Sequence, residues 1–149
     1  MLDFVHNDFT IGFPARWIDS SLVVLAGPPN DGYSPNITIS REKLNFNLTT
    51  AEYAASQLVA LREGLADQHY EVLEETPLTL GDMSAFERVH KFDVAEDNLR
   101  IIQLQVYLVK SNEALTITCT NLSDWFDRTK PHFRDAIRQF RWHGAQSTR

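Results

Sequence analysis

The sequence predicts an α+β fold: a twisted antiparallel β-sheet with helices packed on it. Three observations carry that expectation. Apolar and polar residues alternate with period two over several segments, most clearly at residues 99–110 and 114–120. Short turn signals, Gly81-Asp82, Asp97-Asn98 and Ser111-Asn112, divide the second half of the chain into an antiparallel meander. Helical spacing occurs mid-chain and again near the end, outside that meander.

The first forty residues read as short strands. Residues 8–12 alternate around Phe9 and Ile11 and close at Phe13-Pro14-Ala15. Residues 22–26 form an apolar run stopped by the turn cluster Gly27-Pro28-Pro29-Asn30-Asp31-Gly32. Residues 36–41 place Ile37 and Ile39 on one face, with Asn36, Thr38 and Ser40 on the other. A helix follows. Thr49 or Thr50 caps it, Glu52 sits in its first turn, and Ala54, Leu58, Leu61 and Leu65 form its apolar register, with Gly64 weakening the last turn. Strands return at 71–80, 84–94, 99–110 and 114–120. In the last two, Ile102, Leu104, Val106 and Leu108, then Leu115, Ile117 and Cys119, face the core. A final helix is expected to start near Pro131, a favoured first-turn residue, with Phe133, Ile137 and Phe140 on one stripe.

Size and composition suit a single domain over residues 1–143 with a flexible tail at 144–149. A 149-residue chain with 43% hydrophobic residues buries enough surface to fold without disulfides or metals. Acidic residues outnumber basic ones 20 to 14, for a net charge of -6, which argues against a nucleic-acid partner. The N-terminus lacks a signal peptide's basic start, and no apolar run approaches the ~20 residues of a membrane helix. The expectation is a cytoplasmic protein with no direct membrane insertion.

Catalytic signatures are missing: no Gly-x-Ser-x-Gly, no phosphate-binding glycine loop, no His-Glu-x-x-His. His6, His69, His90, His132 and His143 show no metal spacing, and His90 reads as a solvated or edge residue. Cys119 reads as a core residue, because a reactive thiolate needs an electropositive, open site. Glu74 and Glu75 are adjacent in a strand and face opposite ways, so they cannot share a proton. Asp124, Asp127 and Arg128 lie before the expected last helix and read as capping and solvation. No enzyme activity, cofactor or metal is expected.

The outward sheet face is more informative. Asn36, Thr38 and Ser40, then Gln103, Gln105 and Tyr107, then Thr116, Thr118 and Thr120 carry no charge. Solvent-facing sheets normally mix in Lys, Glu and Arg. If Val23 and Leu25 point inward, Leu22 and Val24 add aliphatic surface to this face. Thr also has high strand propensity, so the pattern has an ordinary structural explanation too. A binding face would exclude charge and offer hydrogen bonds, as polar residues do between membrane helices. Strands ~4.8 Å apart make a five-stranded face ~24 Å wide, room for about two helices each ~10 Å across.

Several segments resemble the DcrB-like domain family. They are Phe9-x-Ile11-Gly12-Phe13-Pro14-x-x-Trp17, Ile37-x-Ile39-Ser40-Arg41, Tyr53-x-x-x-Gln57-Leu58, Gly81, Gln105-Val106-Tyr107 and the closing helix. Within that family, a short form without a lipoprotein signal is similar to the Eag-type chaperones of bacterial type VI secretion. The resemblance implies a PsbP-like α/β sandwich, a homodimer, and no enzymatic activity. It implies binding of the N-terminal hydrophobic helices of secreted effectors, often of the PAAR and Rhs kind. Its cradle positions fall on Leu22, Val24, Asn36, Ser40, Gln57 and Gln105, with Leu65 beside them. Position 36 is Asn where some relatives carry serine, and Gln57 also fits a helix-edge hydrogen-bonding role. With Thr38, Gln103 and Tyr107 from the alternation, these residues form the expected partner-binding set. A regulatory adaptor of the same fold, of a GTPase-binding type, is the alternative; it would use charged edges and loops instead. A small-ligand protein or enzyme ranks last, for want of convergent polar groups.

Overall fold

A computed structural model describes residues 1–143 of the chain; the expected tail at 144–149 lies outside them. Strands β1 (Leu2–Val5) and β2 (Thr10–Phe13) pair only with each other. The main sheet holds β3 (Val23–Ala26), β4 (Asn36–Lys43), β5 (Glu71–Leu80), β6 (Met83–Val94), β7 (Leu99–Lys110) and β8 (Glu113–Leu122). Their spatial order is β3-β4-β8-β7-β6-β5, and every pairing is antiparallel. β5 to β8 are thus the expected meander, while β3 and β4 join it through β8.

The turns show why the meander closes so tightly. Two residues link β5 to β6 and two link β7 to β8, and the first of each pair has positive φ: Gly81 at 63° and Ser111 at 56°. Such backbone suits the right-handed strand twist. Asn98 supplies a third left-handed residue, at 51°, after the 3-10 turn Ala95–Asp97.

Helix α1 (Thr50–Gly64) starts at a capping box. The Glu52 amide donates to Thr49 Oγ1 (3.1 Å), and the Thr49 amide donates to Glu52 Oε1 (2.9 Å). Helix α2 (Ser123–Arg138) corrects the sequence expectation, because it begins directly after β8 and encloses Pro131. Proline lacks the N–H that would bond the carbonyl of Asp127. Both residues lie on the exposed side of α2, so water can take that carbonyl. Asp124, Asp127 and Arg128 therefore sit within the first two turns of α2, not ahead of it.

The pleat sends alternate residues to two cores. Leu104, Val106, Leu108, Leu115, Ile117 and Cys119 meet Phe126, Phe133 and Ile137 of α2. On the opposite face Tyr107 and Ala114 meet Tyr53 and Ala54 of α1. Each helix thus covers one face. A bulge at Leu73 sends Glu74 opposite Val89 and Glu75 opposite Arg88. Glu74 meets Lys130 of α2 (3.2 Å) and Glu75 meets Arg88 (3.1 Å), so the two carboxylates do face opposite ways.

Candidate functional site

The register assembles the predicted polar face. Val24 lies opposite Thr38, Thr38 opposite Thr118, Thr118 opposite Gln105, and Gln105 opposite Arg88. The neighbouring row runs Ala26, Asn36, Thr120, Gln103, His90, and another joins Ser40, Thr116, Tyr107 and Phe86. α1 packs mainly over the β6 and β7 side of this face, reaches β8 at Ala114 and β4 at Glu42, and leaves β3 and the rest of β4 and β8 uncovered. The open strip from β3 to β7 is about 14 Å wide, three inter-strand spacings, which admits one helix rather than two.

Where the strip meets α1 there is a cleft of about 300 Å³, lined by Ser40, Arg41, Glu42, Tyr53, Gln57, Gln105, Thr116 and Thr118. Gln57 faces it from α1, so the helical candidate is brought to the sheet candidates. Leu65 is the C-terminal cap of α1, two turns beyond Gln57, and does not line the cleft. Leu22 and Val24 stand at the outer edge, 56% and 58% exposed. Asn36 turns its amide to the carbonyl of Ser34 (3.2 Å).

The structure corrects three expectations. Tyr107 is not a surface residue: it is 1% exposed, under α1 and edge-on to Tyr53 with ring centroids 6.1 Å apart. Its hydroxyl is pushed up to about 12 by burial, with Arg88 pulling the other way. His90 is not solvated but fully buried. Nor is the face free of charge, because β6 contributes Arg88, 1% exposed, and β5 contributes Glu75. The rim also carries Glu42, which accepts from the Tyr53 hydroxyl (2.7 Å), and Arg41, held by Asp19 (3.1 Å) and Glu113 (3.4 Å). The open strip between these groups is uncharged, as its alternation predicts.

Hydrogen bonding beneath α1 is directional. Arg88 donates to the Tyr107 hydroxyl (3.1 Å), the Ala54 carbonyl (3.1 Å) and Glu75 (3.1 Å). Its carbon Cζ lies 5.4 Å from the ring centroids of both Phe86 and Tyr107. Gln103 donates to Thr120 (3.1 Å), so its carbonyl accepts from His90 Nε2 (2.8 Å). His90 Nδ1 then accepts from the Tyr70 hydroxyl (3.0 Å). That tautomer is neutral, and burial lowers the imidazole pKa further, with the Arg88 charge adding to the effect. Arg88 and His90 alternate with Val89 and Lys91 in β6, so extending the same period-two reading to that strand would have found both.

The thiol of Cys119 lies on the opposite face, fully buried and pushed up to about 12 by desolvation. Among the described residues no three His, Cys, Asp or Glu side chains are grouped to hold a metal. No helix of the described residues is long and apolar enough to cross a membrane.

A six-stranded antiparallel sheet with one helix on each face and an open polar cleft defines a PsbP-like α/β sandwich. The PsbP protein CyanoP from Synechocystis sp. PCC 6803 is similar, with a TM-score of 0.54 at 13% identity over 85% of this chain and 94% of that one. PA94 from Pseudomonas aeruginosa, a protein of unknown function, is similar with a TM-score of 0.82 at 16% identity, over 97% of this chain and 99% of that one. At these identities the likeness concerns the fold. The DcrB family profile matches residues 9–143, and the chain belongs to the DcrB family. No curated protein matches it.

Proposed function

We propose that this protein is a non-enzymatic cytoplasmic chaperone that shields the N-terminal transmembrane helices of a type VI secretion effector, of the PAAR or Rhs kind, before export. One observation carries the reading: the open strip formed by Asn36, Thr38, Ser40, Thr116, Thr118, Gln103 and Gln105 is bordered by exposed Leu22 and Val24. Apolar helix surface loses ~1.5–3 kcal/mol for each Leu-sized side chain left in water, so such helices aggregate unless covered. A desolvated helix tolerates hydroxyls and carboxamides that satisfy each other, whereas an unpaired charge against it costs several kcal/mol. Leu22 and Val24 supply apolar contact, the threonine and glutamine rows supply hydrogen bonds, and Gln57 supplies them from the α1 side. One strip takes one helix, so a homodimer takes two. Co-expression of the chain with the N-terminal segment of a neighbouring effector tests this. The expected result is a soluble complex on pull-down and a dimer by light scattering. A segment that pellets equally with and without the chain refutes the reading.

A further inference from the structure

The buried charge under α1 does more than fill the core. Arginine can only donate, so the Tyr107 oxygen accepts from Arg88 and must give its own single proton elsewhere. It gives it to Gln105 Oε1. Gln105 is thereby oriented with its carbonyl toward Tyr107 and its Nε2 toward β8, where it donates to Thr118 Oγ1 (3.1 Å). Glu75 and the Ala54 carbonyl hold Arg88 at the head of this chain. Two protons at its far end have no acceptor among the described residues: the second Nε2–H of Gln105 and the hydroxyl proton of Thr118. Both side chains line the cleft.

We propose that Arg88 and Tyr107 are positioning residues that lock the Gln105 carboxamide in one orientation, making the cleft a hydrogen-bond donor site for an oxygen acceptor on the bound helix. An unlocked carboxamide can flip and present either its carbonyl or its amide edge. A locked one discriminates. Helices that carry an unpaired acceptor are selected, whether a serine or threonine hydroxyl oxygen or a main-chain carbonyl freed by a proline four residues on. This selectivity rests on the chaperone reading; the lock itself is a property of the free protein.

The two parts are tested separately. Side-chain amide relaxation of 15N-labelled free protein reads the lock. The expected order parameter of Gln105 Nε2 is backbone-like, about 0.85, falling below about 0.6 in Tyr107→Phe, which keeps the ring and removes the hydroxyl. If Tyr107→Phe does not fold, Arg88→Lys is measured instead, with a fall expected for loss of the planar fork. An order parameter unchanged in the folded variant overturns the lock.

Selectivity is read with three synthetic 20-residue Leu/Ala helices in mild detergent: one unmodified, one with a central serine, one with a central proline. Wild type should bind the serine or the proline peptide, or both, about three- to thirtyfold tighter than the plain one, the range expected for one such hydrogen bond. Preference for serine alone identifies a hydroxyl acceptor, and preference for proline alone a carbonyl. In Gln105→Leu the preference should vanish, and adding Tyr107→Phe should change nothing more. Equal binding of all three peptides by wild type overturns the donor site with the chaperone reading intact. Binding of none overturns both, while the relaxation result still decides the lock.

Discussion

Val24→Asp separates folding from cargo capture. Gln105→Glu is a weaker probe, because position 105 lies opposite Arg88 and a carboxylate there would gain a cationic neighbour. Val24 has no such compensation: it is 58% exposed, on edge strand β3, opposite Thr38. Burying a valine fully is worth ~1.5–3 kcal/mol, so the part already buried contributes about 1 kcal/mol. The lower strand propensity of aspartate adds up to ~1 kcal/mol. Together these lower Tm by about 2–8 °C in a domain of this size. Against a desolvated helix the carboxylate costs several kcal/mol, but it can escape by taking a proton. From an ordinary pKa near 3.9 that escape costs about 4 kcal/mol at pH 7, which sets the ceiling. The ceiling corresponds to about a thousandfold loss of affinity. Titration of the fluorescently labelled effector segment should show a loss approaching that value while the melt moves only slightly. Val59→Glu is the matched control, since Val59 is also 58% exposed but projects from α1. Normal binding by Val24→Asp refutes the cradle, and gross unfolding refutes the placement of β3 at an open edge.

Three further outcomes are expected. His90 has a depressed pKa, so the unfolded chain binds a proton that the native state refuses. Stability present above pH ~6.5 is therefore lost on acidification, at up to ~1.4 kcal/mol per pH unit, and denaturant titrations of His90→Gln should lack that component. Cys119→Ser buries a hydroxyl in the apolar α2 core and should destabilise by ~1–3 kcal/mol while leaving cargo capture intact; the native thiol should resist alkylation until the protein unfolds. Ser111→Gly relieves a left-handed serine at φ 56° and should raise Tm by about 1–4 °C; an unchanged or lowered Tm would show that the turn carries no strain.

Most strands were legible because each presents one apolar face to one core. The expected bounds of β5 and β7 match the structure end to end, and the capping box of α1 announces itself in Thr49 and Glu52. α2 was not legible at its start. Its N-cap is Leu122, which offers no side-chain acceptor, whereas Pro131 mimics a start signal from mid-helix. The candidate site divides along the same line. The threonine and glutamine rows follow from period two, but Tyr107 shares that period and is buried, because only packing decides which part of a face α1 covers. That Glu74 and Glu75 face opposite ways follows from the same period; which face each takes is set by the bulge at Leu73, which leaves no mark in composition.

The connectivity of the sheet has a kinetic corollary. β5 to β8 are joined by short turns, so their contacts close small loops at little entropic cost. β4 must return across α1 and the whole meander before Thr38 meets Thr118. The meander and α2 should therefore form an early folding unit, with the strip's outer wall annealed last. Pulse-labelled hydrogen exchange should protect the amides of Leu104 and Val106 before those of Ile37 and Ile39. A refolding full-length chain would carry a finished hydrophobic core while its binding surface is still open-edged, which places the period of greatest vulnerability to off-pathway strand pairing at β8.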